Sequence, residues 1–257
     1  MPAKWIKILG ISFLNGSAEE VVAAALRGGL VVVPSGPGLS VDLRRNTDYR
    51  RAVTEADLAV TDSGAMVLFW RLFRRQRVKR VSGLHLLERI LENPSHRKPG
   101  AVFWVHPSER EKEQNCRYLS EQQFTVRPED HAVAPFYPAT DLKDEPLFEQ
   151  IRSTGASVVV LGIGGGVQER LGYWLRSRFH KADLPCPAIL CTGAAIGFLS
   201  GNQVRIPVWA DRLYLGWLLR CLSNPKKFVP RYWSAIPLAY LIARYGGRLP
   251  KLINDDR

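Results

Sequence analysis

Four short, continuous apolar runs constrain this chain more than any other feature. They are LVVVP (30–34), AVFWVH (101–106), ASVVVLGIG (156–164) and PAILCTGAA (187–195). Each is too short for an ordinary helix and lacks the alternation of a strand with one wet face. They read as strands buried on both faces. Residues 5–13 read as a further strand or hairpin arm, and 57–63 as a strand with its exit loop. Between them lie helical stretches at 41–56, 64–75, 84–93, 108–123 and 168–179. Another helix is opened by a capping box, Ser17 with Glu20, and stopped by Gly28 and Gly29. Strands alternating with helices predict an α/β fold: a mainly parallel sheet with helices on both faces. Ligands of such sheets bind beyond the carboxyl ends of the strands. That singles out the loops 34–40, 61–65, 106–109, 162–168 and 192–197.

A length of 257 residues fits one large domain, or one domain with an appendage. Charge favours the second. Residues 202–257 hold ten Lys/Arg against three Asp/Glu, three of the seven Trp and four of the eight Tyr. We therefore divide the chain into a domain at 1–201 and a basic, aromatic-rich C-terminal helical appendage at 202–257. The division predicts that a chain ending near Gly201 folds by itself. Basic charge interleaved with Trp and Tyr suits an anionic surface over an apolar layer. Nucleic acid is the competing partner, and a solvated helix pair with core aromatics is the plain structural reading. No apolar window is long enough to span a bilayer, and the N-terminus lacks a signal-peptide pattern. Four cysteines without a CxxC pair predict neither a disulfide framework nor a zinc knuckle, which suits a reducing cytoplasm.

Asp62 stands in VTDSG, where a strand gives way to a helix. A carboxylate there could take a proton from a sugar hydroxyl; equally, Asp62 or Ser63 could cap the helix. GIGGGVQE (162–169) joins a strand to a helix. Val167 occupies the sixth position of G-x-G-x-x-G, so the dinucleotide fingerprint fails, and no Walker A loop is present. An anion or nucleotide-diphosphate site and a plain tight turn both fit. CTGAAIGFLSG (191–201) is a second loop of this kind. The histidines, at 85, 96, 106, 131 and 180, form no metal-binding spacing, so no metal site is expected. No G-x-S-x-G elbow supports a hydrolase.

In order and spacing, the segments 31–91, 158–171, 191–209 and 209–232 resemble the WecG/TagA/CpsF glycosyltransferase family. The resemblance implies a Rossmann-like α/β domain with a C-terminal appendage that contacts membrane and acceptor. The same resemblance implies an inverting transfer of an N-acetylmannosamine-type sugar from a UDP donor to a lipid-linked (polyprenyl pyrophosphate) acceptor. It implies bacterial surface-polysaccharide synthesis by a cytoplasmic protein, peripheral on the inner membrane face, with no metal or other cofactor and no nucleic acid. Asp62 matches the family's catalytic base. Gln168 and Glu169 match its donor-site pair, and Arg80, Ser82 and Gly83 its R-V-T-G loop. Ser35, Gly162, Gly164 and Gly193 fall in the loops that would hold the donor. Arg212, Trp217, Arg220, Lys227 and Arg231 match the appendage that meets acceptor and membrane. The sequence also departs from the pattern. Val33 replaces a Thr, Ser35 an Asn, Gly166-Val167 a Pro-Lys, His85 an Asp and Gly216 a Glu, and His106-Pro-Ser-Glu-Arg replaces a Gly-rich loop. These changes leave open a catalytically silent, nucleotide-sugar-binding relative. The sequence also leaves open self-association into a homo-oligomer.

Overall fold

The computed structural model describes residues 4–201, 222, 225, 233 and 237–253. Eight strands form one sheet: β1 (Lys4–Ile8), β2 (Ile11–Asn15), β3 (Gly29–Val32), β4 (Leu58–Ala59), β5 (Val102–His106), β6 (His131–Val133), β7 (Val158–Leu161) and β8 (Ala188–Cys191). Their order is β1-β2-β4-β3-β8-β7-β5-β6. Only β1 and β2 pair antiparallel; every other neighbour is parallel. The chain leaves β3 toward β4 on one side and later fills the β8 side. The β3/β8 boundary is thus the topological switch point, where such sheets open a crevice at their carboxyl ends.

The apolar runs supply both faces, as expected of buried parallel strands. Leu30, Val32, Phe103, Val105, Val159, Leu161 and Ile189 enter one core. Their neighbours Val31, Val33, Val102, Trp104, Val158, Val160 and Leu190 enter the other. The second face is covered by α1 (Ala18–Ala25), α5 (Gly83–Leu91), α6 (Glu109–Glu121) and α9 (Ala195–Leu199). The first is covered by α3 (Thr47–Thr54), α4 (Gly64–Arg74), α7 (Glu145–Thr154) and α8 (Val167–Lys181). The capping box at α1 forms: Ser17 Oγ accepts from Glu20 N–H and Glu20 accepts from Ser17 N–H.

The stretch 41–56 is not one helix. A π-helical turn (Gly38–Asp42) runs into the short α2 (Leu43–Arg45). Extended Asn46 then breaks the path, and its side chain caps α3 by accepting from Tyr49 N–H at 2.8 Å. An Asn competes with helix by bonding the backbone locally, so it starts a new helix rather than continuing the old one.

The last described segment joins the main domain. In α10 (Pro237–Tyr245), Leu238, Leu241 and Ile242 are fully buried in the core against α4. Arg74 donates to the carbonyls of Ile242 and Ala243. Leu9 and Gly10, at the tip of the β1–β2 hairpin, donate to the carbonyls of Gly246 and Gly247. Residues 237–253 therefore pack with the sheet domain, across the boundary drawn at 201/202. The basic run 71–80 both ends α4 and fastens this segment.

Candidate active site

Four strand exits meet at the switch point: those of β3, β4, β7 and β8. At the β4 exit, Asp62 is half-buried, and its Oδ1 accepts from Gly83 N–H, the first residue of α5, at 3.0 Å. A helix N-terminus stabilises a carboxylate placed there. The corner is braced twice more. Arg80 Nε donates to the Asp62 carbonyl at 2.7 Å, and buried Thr61 Oγ1 donates to the Lys79 carbonyl at 2.6 Å. The caps go to other residues: Ser63 accepts from Met66 N–H for α4, and Ser82 from His85 N–H for α5. Asp62 is thus held by the next helix over, and its second carboxylate oxygen is not committed to capping α4.

Across the switch point runs the loop 162–166. Gly166 adopts φ +88°, a region that favours glycine. Its N–H donates to Glu169 Oε2 at 2.7 Å, and its carbonyl accepts from Arg170 Nε at 3.1 Å. Gln168 lies beside it, 4% exposed. Its Nε2 donates to Glu169 Oε1 and to the Cys191 carbonyl, and its Oε1 accepts from Gly193 N–H at 2.8 Å. Gln168 and Glu169 therefore tie the β7 exit to the β8 exit from beneath. Burial raises the Glu169 carboxyl from the ordinary 4.5 to about 7, against the lowering effect of the N–H groups it accepts from.

The remaining residues close the ring. Gly83 packs on Val33, with the Thr192 carbonyl near its open side. Ser35 Oγ accepts from Gly38 N–H and lies close to Gly165. At Gly164 a side chain would meet nothing within 4 Å, so the loop faces open space. The structure thus brings together Ser35, Asp62, Arg80, Ser82, Gly83, Gly162, Gly164, Gln168, Glu169 and Gly193. Arg212, Trp217, Arg220, Lys227 and Arg231 lie outside the described residues. Two contributors are new. Arg170, 8% exposed, clamps the glycine loop, and Thr192 has a buried hydroxyl with no hydrogen-bond partner. Neither stands out in sequence: one reads as helix surface, the other as a loop residue among small ones. A cavity of about 450 Å³ opens at the opposite, amino-terminal ends of β3, β7 and β8, against Gly28, Gly155 and Cys186. None of the convergent groups above lines it.

A family model described as "Glycosyl transferase WecG/TagA/CpsF family" matches residues 6–251. The chain belongs to this family. Among curated proteins, this WecG/TagA/CpsF member is similar to the N-acetylglucosaminyldiphosphoundecaprenol N-acetyl-beta-D-mannosaminyltransferase of Bacillus spizizenii. The two are 21% identical over 215 residues, 81% of this chain and 79% of the relative. The protein of the same name from Bacillus subtilis strain 168 is 21% identical over 210 residues, 79% of this chain and 77% of the relative. The chain is a glycosyltransferase. The match runs past residue 202 to 251, as does the packing of α10 against the sheet domain.

Proposed function

We propose that this glycosyltransferase moves an N-acetylmannosamine-type sugar from a UDP donor to a lipid-linked pyrophosphoryl sugar, with inversion at the anomeric carbon. One observation carries the reading: the half-buried Asp62 carboxylate, anchored through one oxygen on the α5 N-terminus, stands at the crevice opposite an open glycine loop. In the proposed reaction, the acceptor hydroxyl gives its proton to Asp62 as its oxygen bonds to the anomeric carbon. The bond from that carbon to the diphosphate breaks, and UDP leaves with the electron pair. Backbone N–H groups at the start of α8 and cations of the basic tail would meet the charge that develops on UDP. Gln168 and Glu169 would act by shaping the loop rather than by touching the reacting atoms.

The relatives' names support a lipid-linked acceptor. Among the described residues no helix is long and apolar enough to cross a membrane. Exposed Leu68, Leu72 and Phe73 lie on α4 beside exposed Arg71 and Arg75. That composition fits peripheral docking on an anionic inner leaflet.

Incubating the purified chain with a panel of UDP-sugars tests the reading. One donor should raise the melting temperature by mass action and be consumed only when lipid-linked N-acetylglucosamine diphosphate is supplied in vesicles. Donor binding without transfer would mark a silent relative. No donor binding, with steeply salt-dependent nucleic-acid binding, would overturn the reading.

A further inference from the structure

The sequence separates His106, Cys116 and His131 by spacings that match no metal motif. The fold joins them. His106 ends β5, His131 begins the neighbouring β6, and Cys116 comes from α6 packed over both. The ligand atoms of all three lie within 4.8 Å of one another; both imidazoles are buried and the thiol is half-buried. His106 Nε2 is 2.9 Å from His131 Nδ1, and Cys116 Sγ is 3.5 Å from the same His131 nitrogen.

From this geometry we propose that His106, Cys116 and His131 form a binding site for one zinc-like divalent ion. Zinc bonds of about 2.0–2.1 Å to nitrogen and about 2.3 Å to sulfur set the spacing in a tetrahedral site. They require about 3.4 Å between the nitrogens and about 3.5 Å between nitrogen and sulfur. The second spacing is present between Cys116 Sγ and His131 Nδ1, and the His106 nitrogen lies within 4.8 Å of the same sulfur. The first needs the imidazoles to part by about half an ångström as the ion replaces their hydrogen bond. Thiolate and imidazole together select ions of the zinc class over magnesium or calcium. On binding, the Cys116 thiol gives its proton to solvent and bonds as thiolate. Three protein ligands leave a fourth position for water or an incoming group.

The surroundings fit. Asn115 Nδ2 faces His106 Nδ1 at 3.1 Å, while Asn115 Oδ1 accepts from Ser200 Oγ at 2.7 Å. Turning that amide over lets Oδ1 accept the Nδ1–H of His106 and Nδ2 donate to the Ser200 hydroxyl. His106 would then be fixed to bind through Nε2, the usual role of a metal histidine's outer partner. The site would also join the crevice wall. Val105, just before His106, accepts from Gly162 N–H through its carbonyl, and Ser200 follows α9.

The test uses the full-length chain, reduced with a non-chelating phosphine and titrated with cobalt(II) as a probe for zinc. One equivalent should bind, with a near-ultraviolet thiolate-to-cobalt band and visible bands of a tetrahedral ion. Zinc should displace it and raise the melting temperature. Cys116→Ser should remove the thiolate band, and His131→Gln should weaken binding by more than tenfold. Cys186→Ser and Cys221→Ser should leave both unchanged. Asn115→Ala should weaken binding roughly 10- to 100-fold with the band retained. Circular dichroism of the half-exposed Cys116→Ser variant separates loss of the ligand from loss of the fold. Absence of stoichiometric binding by the wild-type chain, or a thiolate band that survives in folded Cys116→Ser protein, would overturn the site.

Discussion

Thr192 holds a buried hydroxyl with no hydrogen-bond partner, at the exit of β8 where the crevice opens. Such an orphan costs about 1–3 kcal/mol unless a ligand completes it. Thr192→Val should therefore leave the donor-free protein as stable or more stable, while donor affinity falls several-fold. Calorimetry with UDP-sugar beside an unfolding curve separates the two effects; a less stable variant with unchanged affinity would make the hydroxyl structural. Gly164 poses the complementary case. Its backbone lies outside the positive-φ glycines and its Cβ position is empty, so nothing in the fold demands glycine there. Gly164→Ala should fold normally and lose donor affinity if the donor sits on this loop as proposed, because the methyl group would fill the open space beside it.

The start of α8 is where an element's stability depends on pH. In the unfolded chain Glu169 loses its proton near 4.5; folded, it keeps it to about 7. Between these values unfolding releases a proton, so rising pH favours the unfolded state by about 1.4 kcal/mol per unit. This contribution to stability is largest below 4.5 and lost by the time pH passes 7. Denaturant titrations should show wild type losing on the order of 2–3 kcal/mol from about pH 5 to about pH 8 relative to Glu169→Gln. A constant difference would show that Glu169 is ionised throughout. Elements with strong local signals were legible in sequence: the four apolar runs, the capping box at α1, and Asp62 at a strand exit. The β6 strand is three residues long and too short to show a period. The α7 helix is capped by Asp144 and buries Leu147, Phe148 and Ile151, but it stands between stretches without pattern. The downward-facing roles of Gln168 and Glu169 depend on where β8 lies, which no local pattern contains.

At the scale of the molecule, the C-terminal segment is part of what keeps the sheet domain folded. Leu238, Leu241 and Ile242 are fully buried, and burying each such side chain is worth roughly 1.5–3 kcal/mol. Their sum rivals the whole stability of an ordinary domain, about 5–15 kcal/mol. A chain ending at Gly201 should therefore unfold or aggregate, by circular dichroism and light scattering, whereas its folding independently would return 237–253 to the appendage. Membrane attachment is better tested by reversing charges, as in Arg220→Glu with Lys227→Glu. That variant should lose co-sedimentation with anionic vesicles, and unchanged co-sedimentation would free the tail of this role. In the proposed reaction Asp62, at the switch-point crevice, takes the acceptor's proton, and Asp62→Asn tests that role most directly. Asparagine keeps an oxygen for Gly83 N–H but cannot take the acceptor's proton. Transfer to the lipid-linked acceptor should fall roughly 10²–10⁴-fold, with donor affinity and melting temperature unchanged. Near-normal turnover by the folded asparagine variant would contradict the account.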